Sequence, residues 1–359
     1  TLEKTWSLLP TTEFSPALRE ALGRAFAPDR TLADAFAHWA LHLLGESGLV
    51  LVDGADPRLK RLVADVFRQE LEEAPRSARC ILEASESLRA SGYSPQIEAR
   101  PDGVNCFLLR GGRRGLTRDG TGFRLRDSSQ VIPAGEMRRL ILEQPESFSP
   151  NVALRPIVQD TLFPTLAYVA GPGELAYFAQ LLPVYQAFGV SMPLIVPRAS
   201  LTLLEPRAAH LLERFRLGLP DLTLEPEQLA SRVLRAHLPP DLDATLAKAR
   251  KSVEEIFQGV GEAIAAVDPT LRATVGQTSG HIQGHLDQLE RKAVQALKRR
   301  ETETRQQVQR VRESLMPGGK PQERIFPLLP FLARYGPSVI EVIRDAIDGP
   351  GWDHQLVKL

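Results

Sequence analysis

The sequence is poor in the features that mark exported, membrane-spanning and zinc-clustered proteins. Its 359 residues include two cysteines, Cys80 and Cys106, too few for a disulfide scaffold or a four-thiolate zinc site. No apolar run approaches the roughly 18 residues that a membrane-spanning helix needs. The start, Thr1-Leu2-Glu3-Lys4, has no signal-peptide pattern. We therefore expect a cytoplasmic protein without a membrane segment.

The chain also lacks an excess of either charge. Lys plus Arg and Asp plus Glu both number 44, so the formal net charge is zero. This balance disfavours proteins that coat nucleic acid or bind anionic lipid. A content of 43% hydrophobic and 25% charged residues is typical of a folded globular chain. At roughly 150 residues per domain, the length predicts two or three domains.

None of the strongly mechanistic motifs is present: there is no Walker loop, GxGxxG, HExxH, GxSxG or kinase signature. Two histidine pairs have helical i,i+4 spacing, His38 with His42 and His281 with His285. Neither pair has an acidic or thiolate partner at motif spacing, so we expect no metal site.

Apolar patterning in the first part of the chain predicts an α/β architecture. Residues 15–45 are predicted to be helical, with a core-facing stripe of Leu32, Phe36, Trp39 and Leu43. The short apolar run from Gly48 to Gly54 predicts a strand, followed by helix to about residue 90. Short alternating pieces between glycine turns over 93–130 predict a small antiparallel insert.

A strand–turn–helix–strand unit is predicted next. After a helix at about 133–142, residues 162–170 are predicted to form a strand and Gly171-Pro172-Gly173-Glu174 a turn. A helix through Phe188 and a second, parallel strand at 192–196 follow. Such a unit places the helix N-terminus at the carboxyl edge of the sheet, where α/β folds bind ligands.

Heptad spacing predicts a coiled coil in the last part of the chain. One set of apolar residues is spaced seven apart and a second set falls between them: Leu246, Val253, Val260 and Val267, with Ala249, Ile256 and Ala263. Asp268-Pro269 interrupts this pattern, which resumes from Val275 to Leu315, so we expect an antiparallel hairpin. A last helix is predicted from Glu323 to about Asp345, followed by a tail from Gly351 to Leu359.

The turn at Gly171 is the richest candidate site. Gly171 and Gly173 permit a turn tight enough for a ligand to approach, and Glu174 faces the same edge as the free helix amides. Glu174 can hold an amine, and Arg155 can pair with a carboxylate through its bidentate fork. The alternative is an ordinary strand-to-helix turn whose glutamate is stabilised by the helix dipole.

Two further clusters have the chemistry of nucleotide binding. Residues 196–207 supply Arg198, Arg207, hydroxyl groups and a carboxylate that suit a phosphorylated ligand. They are also consistent with a surface loop containing scattered ion pairs. Arg310, with Arg324, Phe326 and Tyr335 in the segment after the coiled coil, can contact phosphate and stack on a base, or pack as core.

Several strings resemble the bacillithiol biosynthesis cysteine-adding enzyme family, BshC. The resemblance runs in consistent order from about residue 31 to the C-terminus, coiled coil included, and is to the C-terminal two-thirds. The strings that carry it are Asn151 to Pro156, Pro164 to Glu174, Met192-Pro193 with Pro197-Arg198, Pro321 to Arg324, Arg334 to Pro337, and His354 to Leu359.

The resemblance implies an α/β fold: a Rossmann-like core like that of class I tRNA synthetases and nucleotidylyl transferases, with a small β insert and a long antiparallel coiled coil that dimerises. On this basis we expect five segments: a partial Rossmann-like core at 1–92, a β-rich insert at 93–132, a second part of the core at 133–205, a coiled-coil arm at 206–316, and a C-terminal helix and tail at 317–359 that pack on the core.

The implied activity is an ATP-linked ligase that joins cysteine to glucosaminyl-malate, with ATP or ADP and Mg²⁺ bound and a homodimer as the assembly. Family members are longer, and their first Rossmann half carries Gly-Gln-Gln and Asp-His-Asp segments that this chain lacks. The chain is therefore expected to hold the second half of the active site.

Site residues follow from the same resemblance. Glu174, Arg155 and Asn151 are expected to be catalytic, and four residues are expected to bind substrate: Gly171, Gly173, Tyr177 and Arg198. A second nucleotide pocket, where the coiled coil meets the core, falls near Glu205, Arg207, Arg310 and Phe326.

Two other functions remain open at this point. The coiled coil and the absent motifs are also consistent with a non-catalytic dimerisation or assembly protein. Fold analogy alone suggests an unrelated nucleotidylyl transferase.

Overall fold

The structure is a computed structural model that describes residues 2–126, 128–235, 242–347 and 353–359. Within these ranges no helix is both long and apolar enough to cross a membrane. The chain divides into two compact units, one made of residues 16–199 with Leu2 and the other of residues 3–15 and 200–359. The second part of the Rossmann-like core was expected to end at residue 205. The boundary between the two compact units instead falls between Ala199 and Ser200.

The helices up to residue 199 are short. In chain order they are α1 (Leu2–Trp6), α2 (Ser15–Ala25), α3 (Leu32–Leu44), α4 (Pro57–Leu62), α5 (Ala64–Glu72), α6 (Arg76–Ala90), α7 (Ala134–Glu143), α8 (Arg155–Leu162), α9 (Pro172–Phe178) and α10 (Leu182–Phe188).

An antiparallel sheet of five strands forms the centre of the 16–199 unit. Its strands are β1 (Gly103–Leu109), β2 (Arg113–Asp119), β3 (Gly122–Leu125), β4 (Val131–Pro133) and β5 (Phe148–Pro150), in the order β4-β3-β2-β1-β5. Strand β3 approaches β4 so closely that a Cβ on Gly122 would lie 2.6 Å from the carbonyl oxygen of Ile132. The predicted antiparallel insert is confirmed, and β5 extends it.

The core of this unit lies between the sheet and helices α5, α6 and α7. Phe67, Ile81, Leu108, Met137 and Phe148 are completely or almost completely buried there. Burial of each such side chain contributes about 1.5–3 kcal/mol to stability.

A separate pair of parallel strands carries the candidate site. Strands β6 (Ala167–Ala170) and β7 (Leu194–Pro197) are in register from Ala167 with Leu194 to Ala170 with Pro197. The predicted parallel pairing is confirmed, although the first strand is shorter than expected: α8 ends at Leu162 and β6 begins only at Ala167. The predicted helix through Phe188 is divided into α9 and α10, and Pro183, which has no N–H to donate, lies in the first turn of the second.

Two predictions for the first ninety residues are wrong. Residues 48–54 form no strand, because no strand pairs with them in the part of the chain that the structure describes. Two members of the predicted core stripe on α3, Leu32 and Phe36, are 83% and 63% exposed. The residue that α3 buries is Ala35, which lies outside the predicted stripe, so periodicity predicted the helix but not the residue that it buries.

The 200–359 unit contains a second parallel pair. Strand β8 (Leu201–Leu204) pairs with β9 (Gln355–Lys358), so the predicted tail is a strand from Gln355. Gly351 and Trp352, where that tail was expected to begin, lie outside the described residues. The helices of this part are α11 (Pro206–Phe215), α12 (Pro226–Arg235), α13 (Leu242–Ala265), α14 (Arg272–Leu315), α15 (Leu329–Tyr335) and α16 (Ser338–Ile347).

Helices α13 and α14 form the predicted antiparallel hairpin. Gly261 faces Val275, whereas the earlier Arg250 forms an ion pair with the later Asp287 at 2.9 Å. At the turn, the Asp268 carboxylate accepts a hydrogen bond from the Thr270 backbone N–H. Earlier residues of α13 therefore lie beside later residues of α14, as antiparallel pairing requires.

The seam between these helices differs from the strict heptad. Leu246 and Val253 are half-buried as expected, but Ile256 and Val267 are 62% and 87% exposed. A straight helix drifts by about 20° per heptad, which turns Ile256 out of the seam, whereas Val267 lies beyond the end of α13 at Ala265. Phe257 and Ile264 are half-buried instead.

The single helix predicted from Glu323 to Asp345 is wrong. The segment is a 3₁₀ turn at Gln322–Arg324 followed by α15 and α16. Gly336 separates the two helices with a φ of +76°, and its ideal Cβ would lie 2.6 Å from the Phe14 ring. This backbone conformation and this close approach both require glycine.

Candidate functional site

Asn151 shapes the backbone that begins α8. Its Oδ1 accepts hydrogen bonds from the backbone N–H groups of Ala153 and Leu154, at 2.9 and 3.1 Å. Its carbonyl oxygen accepts from the N–H of Arg155 at 2.9 Å. Asparagine favours such side-chain-to-backbone turns, and Pro156 suits the first turn of the helix that follows.

Arg155, the first residue of α8, extends towards two tyrosines. Its Nη2 donates to the hydroxyl oxygens of Tyr168, at 2.8 Å, and Tyr177, at 3.0 Å, and its Nη1 donates to Gln159 at 3.3 Å. Burial alone lowers the pKa of Arg155, but these hydroxyl partners more than offset that effect and raise it. The side chain is therefore a fixed cation.

Glu174 lies in the first turn of α9, directly after the carboxyl end of β6. Its Oε2 accepts from the Gly171 N–H at 3.0 Å and its Oε1 from the Tyr168 hydroxyl at 2.7 Å. The Tyr168 hydrogen bond, with that of Gly171 and the charges of Arg155 and Arg198, holds the pKa of Glu174 below its ordinary value. Glu174 is therefore an anion at neutral pH, with Arg155 Nη2 only 3.9 Å from its Oε1.

The turn is open on one side and lined on the other. A Cβ on Gly173 would meet no atom within 4 Å, so the backbone there faces open space. A Cβ on Gly171 would lie 3.6 Å from the guanidinium carbon of the exposed Arg198. The structure thus gathers Glu174, Arg155 and Tyr177 with the predicted turn and Arg198.

Asn151 stands apart from this cluster. Its side chain is directed at the 153–154 backbone and at Asn105, to whose Oδ1 its Nδ2 donates at 2.8 Å. The Oδ1 atom of Asn151 therefore stabilises the backbone turn before α8. Asn151 is connected to the cluster through α8, which carries Arg155.

Sequence reasoning missed the residue at the centre of the cluster. The Tyr168 hydroxyl bridges the cation of Arg155 and the carboxylate of Glu174, and its ring packs on buried Phe178 with centroids 4.7 Å apart. Burial, with the Glu174 hydrogen bond, raises the pKa of Tyr168 to about 12, so its proton stays in place. Its position in β6, three residues before the glycine turn, was the available signal.

Asp160 and Tyr185 were also missed. The Tyr185 hydroxyl donates to Asp160 Oδ2, and Gln159 Nε2 donates to Asp160 Oδ1 at 3.2 Å. Burial, together with Asp160, raises the pKa of Tyr185 well above its ordinary value. A polar network therefore extends from Glu174 through Arg155 to α10.

Chemically, the cluster presents a cation, an anion and two phenols at the carboxyl end of β6. A small zwitterion matches this arrangement, because Glu174 can receive its ammonium group and Arg155 its carboxylate. Among the described residues, no group of three or more His, Cys, Asp or Glu side chains could hold a metal ion.

A cavity of about 510 Å³ lies within the 200–359 unit and residues 3–15. Its walls are mainly apolar: Leu8, Leu9, Pro10, Phe326, Pro327, Leu329, Pro330 and Phe331, with Thr5, Glu205, Glu313, Ser314 and Arg334. Glu205 is paired with Arg334 and accepts from the Tyr335 hydroxyl at 3.1 Å.

Two of the four residues expected at the second nucleotide pocket, Glu205 and Phe326, line this cavity. Arg207 and Arg310 are exposed and are not among its walls. Arg334 is the cation that lines it.

Family models match both parts of the chain. The model described as the bacillithiol biosynthesis BshC N-terminal Rossmann-like domain matches residues 1–199, and that of the BshC C-terminal coiled-coil domain matches residues 201–359. The match therefore covers the whole chain, and the expected start near residue 31 is corrected.

Curated relatives agree with these models. A protein of Salinibacter ruber named "putative cysteine ligase BshC" is 36% identical over 351 residues, which are 97% of this chain and 64% of the relative. A protein of the same name from Chlorobaculum tepidum is 33% identical over 374 residues, covering 100% of this chain and 66% of the relative. The chain thus spans slightly less than two thirds of the length of these relatives. The two matched domains and the identity to these relatives show that the chain belongs to the BshC family.

Proposed function

We propose that this chain acts in the cytoplasm as part of an ATP-dependent ligase that joins cysteine to glucosaminyl-malate in bacillithiol biosynthesis. The family description and the names of the relatives support the reaction class. The observation that carries the proposal is the Glu174–Tyr168–Arg155 cluster, in which opposite charges are held 3.9 Å apart at the end of a parallel strand.

In this proposal cysteine binds as a zwitterion. Its ammonium group contacts Glu174, and its carboxylate contacts Arg155. An ionised Glu174 keeps the cysteine amine protonated, so that the amine of glucosaminyl-malate is the nucleophile that forms the amide. Gly171 and Gly173 leave the backbone accessible, and Tyr177 and Arg198 border the ligand.

The large cavity is proposed to hold the nucleoside part of ATP or ADP. Phe326 and the neighbouring prolines offer apolar surface for a base, while Glu205 and Glu313 can accept from ribose hydroxyls. Two carboxylates and the single cation of Arg334 give the lining a net negative charge, which disfavours phosphates inside. We therefore place the phosphates and their Mg²⁺ outside it, near Arg207 and Arg310. ATP activates the cysteine carboxylate either as an adenylate, with release of pyrophosphate, or as an acyl phosphate, with release of ADP, and the amine of glucosaminyl-malate then displaces AMP or phosphate.

We also propose a homodimer formed through the coiled coil. Ile256, Val267 and Leu289 are 62%, 87% and 58% exposed on α13, on the turn and on α14. Large apolar side chains along one hairpin are typical of an interface. The same observation supports the second candidate function, a non-catalytic dimerisation or assembly protein.

Calorimetric titration with L-cysteine tests the site. The wild-type chain should bind, and Glu174→Gln, which removes the charge but keeps the shape, should bind at least about tenfold more weakly because a charge-assisted contact is lost.

Asp221→Asn is the matched control. Asp221 accepts from the Gly218 N–H at 2.8 Å and pairs with Arg232, in a similar glycine turn that has no part in the proposed site. Its affinity for cysteine should equal that of the wild type. Unchanged cysteine binding by Glu174→Gln would overturn the site assignment. A dimer that binds neither cysteine nor nucleotide would favour the assembly protein, and nucleotide consumption without cysteine would favour a nucleotidylyl transferase.

A further inference from the structure

Glu70 is a buried carboxyl group that the proposed reaction does not use. It lies on α5, is 2% exposed, and is surrounded by core residues such as Val66 and Phe67. Its Oε1 accepts two hydrogen bonds, from the Asn105 N–H at 2.6 Å and from the Ser77 hydroxyl at 2.9 Å. A carboxyl group in such a core is expensive unless its partners are well placed.

The hydrogen bonds continue from Glu70 to the candidate site. Asn105 Nδ2 donates to the Ser77 hydroxyl at 2.8 Å, and Asn105 Oδ1 accepts from Asn151 Nδ2 at 2.8 Å. The Asn105 carbonyl oxygen also accepts from the Asn151 N–H at 2.9 Å. Asn105 and Ser77 are both buried. Asn151 is thus held by side chain and backbone together.

We propose that Glu70 is a positioning residue: through Ser77 and Asn105 it holds Asn151, and through Asn151 it fixes the first turn of α8, which carries Arg155. This inference rests on the proposed function only in assigning Arg155 to the ligand. The contacts themselves connect α5, α6 and β1 to the start of α8.

A side chain whose only role was to fill the core would not need the hydrogen bonds that Glu70 makes. An apolar side chain would suit the surroundings of Glu70, whereas hydrogen-bonded polar groups in a core specify one geometry. Glu70, Ser77 and Asn105 each bond the other two, and Asn105 also bonds Asn151, so the loss of one side chain leaves a buried donor or acceptor without its partner.

The ionisation of Glu70 adds a signal that can be followed. Burial raises the pKa of Glu70 to about 7, and the charge of Glu73 acts in the same direction. The other titratable groups that interact with it are the thiols of Cys80 on α6 and Cys106 on β1. Burial raises the pKa of both thiols, so they stay protonated near neutrality. Of these three groups, Glu70 is therefore the one that becomes charged near neutral pH. An ionised carboxylate accepts stronger hydrogen bonds than a protonated one.

The direct readout is the NMR signal of the Asn151 side-chain amide. In the wild type it should shift between about pH 6 and 8, following Glu70. In Glu70→Gln the Asn151 side-chain amide should keep its position in the structure, but its NMR signal should no longer shift with pH. Ser77→Ala removes the hydroxyl that joins Glu70 to the Asn105 side chain and leaves the direct bond from the Asn105 N–H to Glu70 in place. Because the Asn105 side chain loses a partner, the Asn151 signal should move at every pH.

Ser85→Ala is the matched control for Ser77→Ala. Ser85 is a second buried serine on α6, and its hydroxyl accepts from Gln180 at 2.8 Å and donates to the Ile81 carbonyl oxygen at 2.6 Å. It makes a comparable buried contact away from Asn151. Its loss should leave the Asn151 signal unchanged.

Affinity for L-cysteine is the second readout. Ser77→Ala and Glu70→Leu should weaken binding about tenfold, whereas Glu70→Gln, which keeps an acceptor, and Ser85→Ala should stay within about twofold. If Glu70→Leu does not fold, Ser77→Ala carries the comparison.

An unchanged Asn151 signal and unchanged affinity in folded Ser77→Ala would overturn the inference. If the wild type does not bind L-cysteine, the proposed function fails, and the Asn151 signal alone decides the positioning role.

Discussion

The substitution Glu70→Gln should change how the stability of the protein depends on pH. The pKa of Glu70 is raised from 4.5 to about 7, mainly because burial disfavours its ionised form. The folded protein therefore binds this proton more tightly than the unfolded chain does. The resulting stabilisation is complete below about pH 4.5 and is lost as the pH rises through about 7.

The magnitude follows from the shift. At 1.36 kcal/mol per pKa unit, the wild type should lose about 3 kcal/mol of unfolding free energy over this window that Glu70→Gln does not lose. Glutamine keeps the acceptor for Asn105 and Ser77, so the variant should fold.

Urea unfolding followed by far-UV circular dichroism at about pH 5 and pH 8 measures most of this difference, about 2.5 kcal/mol. Glu86→Gln, which removes an exposed carboxylate from neighbouring α6, is the control and should follow the wild type. Parallel stability curves for the wild type and Glu70→Gln would refute the reasoning.

Three other outcomes are expected. Tyr168→Phe removes the bridge between Arg155 and Glu174, so it should lower the unfolding free energy by about 1 kcal/mol and weaken L-cysteine binding in calorimetry. Gly336→Ala should lower it by at least about 2 kcal/mol in urea unfolding, because the added Cβ meets the Phe14 ring at a positive φ. Ile256→Glu should convert the proposed dimer to a monomer in light scattering with an unchanged circular dichroism spectrum, because Ile256 is exposed.

Matched substitutions separate the causes in these experiments. Tyr93→Phe removes a hydroxyl from an exposed tyrosine and should change neither stability nor binding. Gly92→Ala has the positive φ of +83° without a close neighbour, so its smaller loss isolates the backbone strain from the contact with Phe14. A loss at Gly336 no larger than that at Gly92 would argue against the close contact.

The strand–turn–helix unit was predictable because its signals are local. Glycines allow the turn after Ala170, Pro172 suits the first turn of a helix, and Glu174 binds back to the Gly171 N–H. The parallel pairing of β6 with β7 follows, since a helical crossover joins parallel strands. The heptads likewise predicted both helices of the hairpin from nearby residues.

What depends on distant partners was not predictable. The apolar run at 48–54 has the composition of a strand, but a strand also needs a neighbour to receive its hydrogen bonds. Leu32 and Phe36 are apolar at helical spacing, yet their burial depends on another element. The contact of Asn151 with Asn105 was not predictable for the same reason, because Asn105 is 46 residues away in the sequence.

Crystals soaked in L-cysteine provide the most direct test of the proposed site, because anomalous scattering locates the sulfur. The account predicts one cysteine beside the Gly171–Glu174 turn, with its ammonium group on Glu174 and its carboxylate on Arg155. Cysteine bound elsewhere, with the hydrogen bonds from Arg155 through Tyr168 to Glu174 intact, would contradict it.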